Sequence, residues 1–220
     1  MSMITKSYIH FFEELGENNH KEWFHSNKKR YESDVKKPFQ SLIEQGIDIL
    51  QSIDPDIPSD SKDILMRINR DIRFSKDKSP YNTMMKANFT PGGRKSGNPG
   101  FYLGIGAEKI HLGGGMYQIQ PATLRRIRSR MAEDPKAISN IIESPKFRRH
   151  FGVIAGEKAK RIDKEFDKLA TKLPLIYHKQ YYYMSQIDVG QHLEQDLTVL
   201  MKDHFEAARD MHLFLKSAIS

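Results

Sequence analysis

The sequence predicts an α+β fold, with a central antiparallel sheet and helices packed mainly on one face. Three observations predict it. Apolar residues recur at helical spacing up to residue 52 and again after residue 121. Between residues 64 and 112 they alternate instead with polar residues, the period of half-buried strands. Helices, then strands, then helices is the order of a segregated α+β chain, because βαβ units would interleave the two periods.

Ser7 to Leu15 reads as a helix with Tyr8, Phe11, Phe12 and Leu15 on one stripe, ended by Gly16 and the polar run Glu17-Asn18-Asn19. Asn19 is placed to cap a second helix, with Glu22 completing a capping-box pattern. Trp23, Tyr31, Val35, Phe39, Leu42, Ile47 and Leu50 carry that stripe to about Ser52. Pro38 lacks an amide proton and predicts a kink or two abutting helices there. Asp54 to Asp60 is a loop by its turn residues.

Four short strands are expected next, over Ile64–Asn69, Met84–Phe89, Phe101–Ile105 and Ile110–Leu112, and an antiparallel sheet with one apolar and one more polar face follows. Ser75 to Asn82, Pro91 to Gly100 and Gly106 to Glu108 supply the turns. Pro121 opens a helix with Leu124, Ile127 and Met131 buried, while Arg125, Arg126, Arg128 and Arg130 point largely elsewhere. Pro135 to Glu143 and Ser144 to Phe151 are short helices, Lys179 to Ile187 a late strand, and Leu193 to Leu215 a long C-terminal helix.

No linker divides residues 1–220, so a single domain is expected, large enough to bury its core without staples. The absence of cysteine excludes disulfides, thiolate zinc sites and thiol nucleophiles. No signal-like or membrane-length apolar run occurs, which points to a cytoplasmic protein with no membrane partner. Thirty-five Lys and Arg against 28 Asp and Glu leave a formal charge of +7, which favours small anions, acidic partners or nucleic acid. Nucleic acid is the less favoured of these.

The densest chemistry lies in Arg67 to Tyr81, where five basic side chains stand among two carboxylates, two serines and a phenol. Arginine forks suit phosphate or carboxylate, and Lys76 and Lys78 add point charges. On an extended segment Arg67, Asn69 and Asp71 share a face, and the following turn brings Ser75 and Lys78 towards it. An equally plain account is that Arg70, Asp71, Arg73 and Asp77 neutralise one another as a structural network. Gly113-Gly114-Gly115 precedes a helix start and is expected to line the same pocket, although three glycines also serve a sharp turn or a bulky neighbour.

Several motif matches fail on context. Gly92-Gly93-Arg94-Lys95-Ser96 has arginine where a P-loop needs glycine, and a strand follows it where a P-loop needs a helix. Ser75 to Lys78 fits S-x-x-K without its companion motifs. The nine histidines show no metal-ligand spacing, so no metal site is expected. Tyr181-Tyr182-Tyr183 reads as strand packing, with base stacking as the alternative.

Lys21-Glu22-Trp23-Phe24 within Asn19 to Tyr31, the run Arg70-Asp71-Ile72-Arg73-Phe74-Ser75-Lys76-Asp77-Lys78-Ser79-Pro80-Tyr81, and Gly113 to Tyr117 ahead of the Leu124–Arg128 helix together resemble the conserved hypothetical family of domain of unknown function 2461. The resemblance spans Phe11 to Leu215. It implies one domain and no particular activity or cofactor, and its hallmark run coincides with the polar segment. Three readings therefore stand side by side. The first is a binding domain for a phosphorylated or other anionic ligand held by Arg70, Arg73, Ser75, Lys76, Lys78 and the glycines Gly113, Gly114 and Gly115. The second is an enzyme at the same place, with Asp71 or Asp77 as base and Tyr81 or Lys78 as acid or oxyanion stabiliser. The third is a nucleic-acid binder using the Arg125–Arg130 helix.

Overall fold

The structure, a computed structural model, describes residues 4–220. Helix α1 (Lys6–Glu17) begins at Thr5, whose side chain accepts from the Tyr8 amide, and buries the expected stripe of Tyr8, Phe11, Phe12 and Leu15. Helix α2 (Lys21–Ser26) is capped by His20, not by Asn19. Asn19 serves elsewhere. Its side-chain oxygen accepts from the Tyr81 amide and its nitrogen donates to the Tyr81 carbonyl, at 3.1 and 3.0 Å, so it clamps the distant polar segment like a strand partner.

A single turn, α3 (Lys28–Arg30), leads into a π-helical stretch over Tyr31–Lys36 and then into α4 (Lys37–Gln51). The irregularity expected at Pro38 thus takes the form of a widened turn immediately before it. A proline ring collides with the carbonyl four residues back, and loosening the preceding turn to i→i+5 bonding relieves this without breaking the helix. After the Asp54–Asp60 loop, Asp60 caps α5 (Ser61–Ile64) by accepting from the Lys62 amide.

The first expected strand does not form as one. Ile64 ends α5, and residues 65–69 bend at Ile68 and make isolated pairings only, Leu65 to Ala87 and Asn69 to Tyr81. The partner changes along the segment: Met66 donates to Lys86 in β1, whereas Arg70 donates to Pro80 and Asn82 to Ile68. Two changing partners cannot build one ladder, and the segment becomes a strap leaving the sheet edge.

Strands β1 (Met84–Phe89), β2 (Gly100–Gly106), β3 (Lys109–Met116) and β4 (Tyr181–Asp188) form an antiparallel sheet in the order β1-β2-β3-β4. Met85, Ala87, Phe89, Phe101, Leu103, Ile105, Ile110 and Leu112 are buried on one face. Lys86, Asn88, Tyr102, His111 and Met184 alternate onto the other, which is only partly covered. Between β3 and β4 come α6 (Pro121–Glu133), α7 (Pro135–Glu143), α8 (Pro145–Phe151) and the short α9 (Asp167–Ala170). The long α10 (Thr198–Ile219) closes the chain and lies across β2 and β3.

Phe205 of α10 meets the edges of Phe89 and Phe101 at ring-centroid distances of 5.8 and 5.5 Å. Each such buried ring contributes about 1.5–3 kcal/mol through apolar burial. The core runs from Ile4 to Ala218, so it takes in both ends of the described residues. No described helix is long and apolar enough to cross a membrane.

Candidate functional site

A groove of about 470 Å3 opens where the strap leaves the sheet. Its walls come from three stretches: Met66, Arg67, Asn69, Arg70 and Asp71 of the strap, Asn82 and Lys86 at β1, and Arg94 and Lys95 of the β1–β2 turn. The alternation of β1 explains Lys86, because Met85 and Ala87 point into the core and Lys86 must point away. The turn is docked by the Arg94 amide on the Asp63 carbonyl at 3.0 Å and by the Arg94 guanidinium on the Lys62 carbonyl. Asn82 is fixed by donating to Ile68 at 2.9 Å, and its oxygen accepts from Lys86 Nζ at 2.9 Å.

The groove is electrostatically one-sided. Burial, and then the nearby Arg70 guanidinium, hold the Lys86 ammonium below the usual lysine value. His111, on the same sheet face, is lowered by burial and then by Lys86. Asp71 is the only carboxylate on the wall, and Arg73 already grips it with two parallel bonds of 2.9 and 2.7 Å. Five cationic side chains therefore converge on a space containing no uncommitted negative charge. Neither Arg67 nor Lys95 has a hydrogen-bond or ion-pair partner for its side chain among the described residues.

The hallmark run divides between this groove and the loop beyond it. Arg70 lines the groove and also pairs with Asp77, and it reaches Ser75 Oγ at 3.5 Å. Asp77 in turn accepts from the Ser79 amide and hydroxyl at 2.9 and 2.7 Å. Lys78 donates to the Ile72 carbonyl at 3.0 Å. Arg73 is committed to Asp71, and Lys76 is exposed with no side-chain partner among the described residues. Tyr81 is buried beneath the loop, stacked on Phe24 with centroids 4.0 Å apart. The expected ion-pair network is thus present, and it shapes the loop while leaving the groove open.

This geometry bears on the acid–base roles expected of Asp71, Asp77 and Tyr81. Hydrogen bonding from Arg73 lowers Asp71 to about 2, and bonds from Ser79 and then Arg70 hold Asp77 far below the carboxylate range. Carboxylates so acidic are weak proton acceptors at neutral pH. Burial pushes the Tyr81 phenol up, away from a useful acid.

Gly113, Gly114 and Gly115 do not line the groove; they are interior to β3, paired with β2 on one side and β4 on the other. A Cβ on Gly113 would collide with the Tyr183 carbonyl, and one on Gly115, whose φ is +107°, would lie 2.8 Å from Tyr182 Cα as well as against the Tyr181 carbonyl. Close strand approach, not a ligand, accounts for them. The α6 arginines divide between solvent and interior, with Arg125 and Arg126 exposed and the other two partly or fully covered. Arg128 is buried and donates to the Ile176 carbonyl at 2.9 Å, Arg125 pairs with Glu165, and Arg130 lies over the Phe214 ring.

Lys86, Arg94 and Lys95 are the cationic wall residues that sequence reasoning did not assign, and Met66 and Asn82 join the wall with them. The polar position of an alternating strand marks Lys86, and Arg94 and Lys95 sit in the turn whose P-loop likeness fails. No metal-ligating cluster occurs in the groove; among the described residues such a group exists only between α8 and α10. The family model for conserved hypothetical protein (DUF2461) matches residues 7–214, and the chain belongs to that family. No curated protein matches the chain.

Proposed function

We propose that this member of the DUF2461 family binds a phosphorylated or otherwise anionic small ligand in the groove between the strap and the β1–β2 turn. The observation that carries the reading is the half-buried Lys86 facing Arg70 with no free carboxylate between them. Like charges held together at a partly desolvated position cost stability, and an anion seated between them removes that cost. Arg67 offers a planar fork for two oxygens of one phosphate or carboxylate, while Arg70, whose fork already holds Asp77 and Ser75, adds charge together with Lys86, Arg94 and Lys95.

The test is a thermal-shift screen of nucleotides, sugar phosphates, carboxylate metabolites, inorganic phosphate and short oligonucleotides. A ligand present at about a hundred times its Kd adds roughly 2.7 kcal/mol to apparent stability. Stabilisation by a small anion is expected, and it should vanish in an Arg67→Ala, Lys86→Ala double variant that remains folded by circular dichroism. A wild-type protein indifferent to every small anion, or a response that survives in the double variant, overturns the reading.

A further inference from the structure

A second constellation lies away from the groove, where α8 packs against α10. His150 comes from the last turn of α8, and Asp203 and His204 are successive residues of α10. One nitrogen or oxygen from each lies within 4.8 Å of the other two. The two imidazole rings meet edge to face, with centroids 4.7 Å apart and planes at 87°. Sequence spacing hides the group, because His150 and Asp203 are 53 positions apart.

Each ring is oriented by the same device. His150 Nδ1 lies 2.8 Å from the Lys146 carbonyl, and His204 Nδ1 lies 2.8 Å from the Leu200 carbonyl, in both cases one helical turn back. A carbonyl only accepts, so each Nδ1 carries the proton and each neutral ring presents an Nε2 lone pair. Fixing the tautomer through the far nitrogen is how outer hydrogen bonds prepare histidine to ligate a metal. His150 Nε2 then stands 2.7 Å from an Asp203 carboxylate oxygen. Two lone-pair holders that close need a cation between them, either a proton or a metal ion.

We propose that His150 Nε2, His204 Nε2 and the Asp203 carboxylate form a binding site for a divalent first-row transition-metal ion of the zinc type. Two imidazoles and a carboxylate suit such an ion, whereas Mg2+ and Ca2+ prefer all-oxygen sets. Donors around a tetrahedral ion with bonds of about 2.0–2.2 Å stand roughly 3.3–3.6 Å apart. The His150–Asp203 pair therefore opens slightly and the widest pair closes, movements within reach of side-chain rotation. Asp203 also lines a groove of about 470 Å3 with His192, Val199 and Glu206. Three-ligand zinc sites keep one position for a water or a further ligand, and Asp203 is the one member of this group on the wall of that groove.

The probe is cobalt(II), whose visible absorption bands report coordination by nitrogen and oxygen in a low-symmetry site. The chelator-treated protein should take up one equivalent of Co2+ with new bands that Zn2+ abolishes, and Zn2+ should raise the melting temperature. Asp203→Asn, a near-isosteric change at an exposed position, with the fold checked by circular dichroism, should weaken Co2+ binding by at least about tenfold, and His150→Ala should remove the bands. Lys86→Ala, in the anion groove, should leave the titration unchanged, which keeps the two sites separable. Absence of bands in the wild type, or wild-type uptake in both Asp203→Asn and His150→Ala, overturns the site.

Discussion

Gly113–Gly115 and Arg70–Tyr81 are the two stretches that a sequence reading singles out as ligand-binding, and the structure treats them in opposite ways. The glycines lie in the middle of the sheet, where neighbouring backbones on both sides occupy the space a side chain would need. The polar run lies at the surface and is held by its own side chains, through the Arg70–Asp77 and Asp71–Arg73 pairs and the Lys78–Ile72 bond. Unusual composition therefore has two causes. In one region the backbone leaves no room; in the other, charges are gathered beside an open groove.

The sharpest way to break that comparison is Gly115→Ala. At φ +107° an L side chain is strained, and its Cβ would meet the Tyr181 carbonyl and Tyr182 Cα with nowhere to relax. A loss of about 3 kcal/mol or more is expected, combining overpacking with backbone strain. Urea denaturation followed by circular dichroism measures it. A variant of wild-type stability that loses only anion binding would return the glycines to the site.

What was legible in the sequence follows the same division. Period alone gave β1, β2 and α10, because Phe89, Phe101 and Phe205 each sit on a face with one neighbour of the core. It also gave the short α7 and α8, whose starts Asp134 and Ser144 do cap. It misread Ile64–Asn69 as a strand because alternation records which side chains are buried and not what the backbone pairs with, and that pairing changes partner midway. Asn19 was misplaced for a related reason: its local capping chemistry is outcompeted by a two-way bond to Tyr81, 62 positions away. The groove was half visible. Arg67 and Arg70 lie in the dense run, but Lys86, Arg94 and Lys95 join it only through the sheet edge and the docked turn.

A buried charge network gives an intermediate case and a smaller expected effect. Asp54 and His212 have fully buried side chains, with Oδ2 and Nε2 2.7 Å apart, and Lys216 reaches Asp54 at 2.5 Å and Asp56 at 2.7 Å. Burial alone would raise Asp54, but bonds from Lys216 and His212 outweigh it and leave the carboxyl below its usual value. Burial lowers His212, whose Nδ1 has no hydrogen-bond partner among the described residues and whose ring lies 4.5 Å from Phe101. A lowered folded-state value means that the unfolded chain takes up the proton first. Stability is therefore full above the unfolded histidine value of about 6.5 and declines as pH falls below it, with Asp54 adding a further loss below about 3.9. His111, His178 and His204 are lowered too and act in the same direction. Denaturation at pH 7 and pH 5 should show the decline, with a shallower slope in His212→Gln. Asp54→Ala at pH 7 should cost about 1–3 kcal/mol, because it leaves the buried His212 Nε2 without an acceptor while Lys216 keeps Asp56. Equal slopes in wild type and His212→Gln would remove His212 from the account.

The loop of the hallmark run sets the lower end of the scale. Asp71, Arg73 and Asp77 are paired in water, where screening and the entropy of holding two side chains offset most of the attraction. Arg73→Ala should leave the melting temperature close to that of the wild type. Phe74, 96% exposed with the Arg73 guanidinium 5.9 Å from its ring, buries almost nothing, and Phe74→Ala should change stability by less than about 0.5 kcal/mol. If the loop serves only to hold Arg70 at the groove, both variants should also bind the anion found in the screen with wild-type affinity, since Arg70 keeps its bonds to Asp77 and Ser75. Unchanged stability with weakened binding would instead bring the exposed Phe74 and Arg73 into contact with the ligand and extend the site from the groove onto the loop.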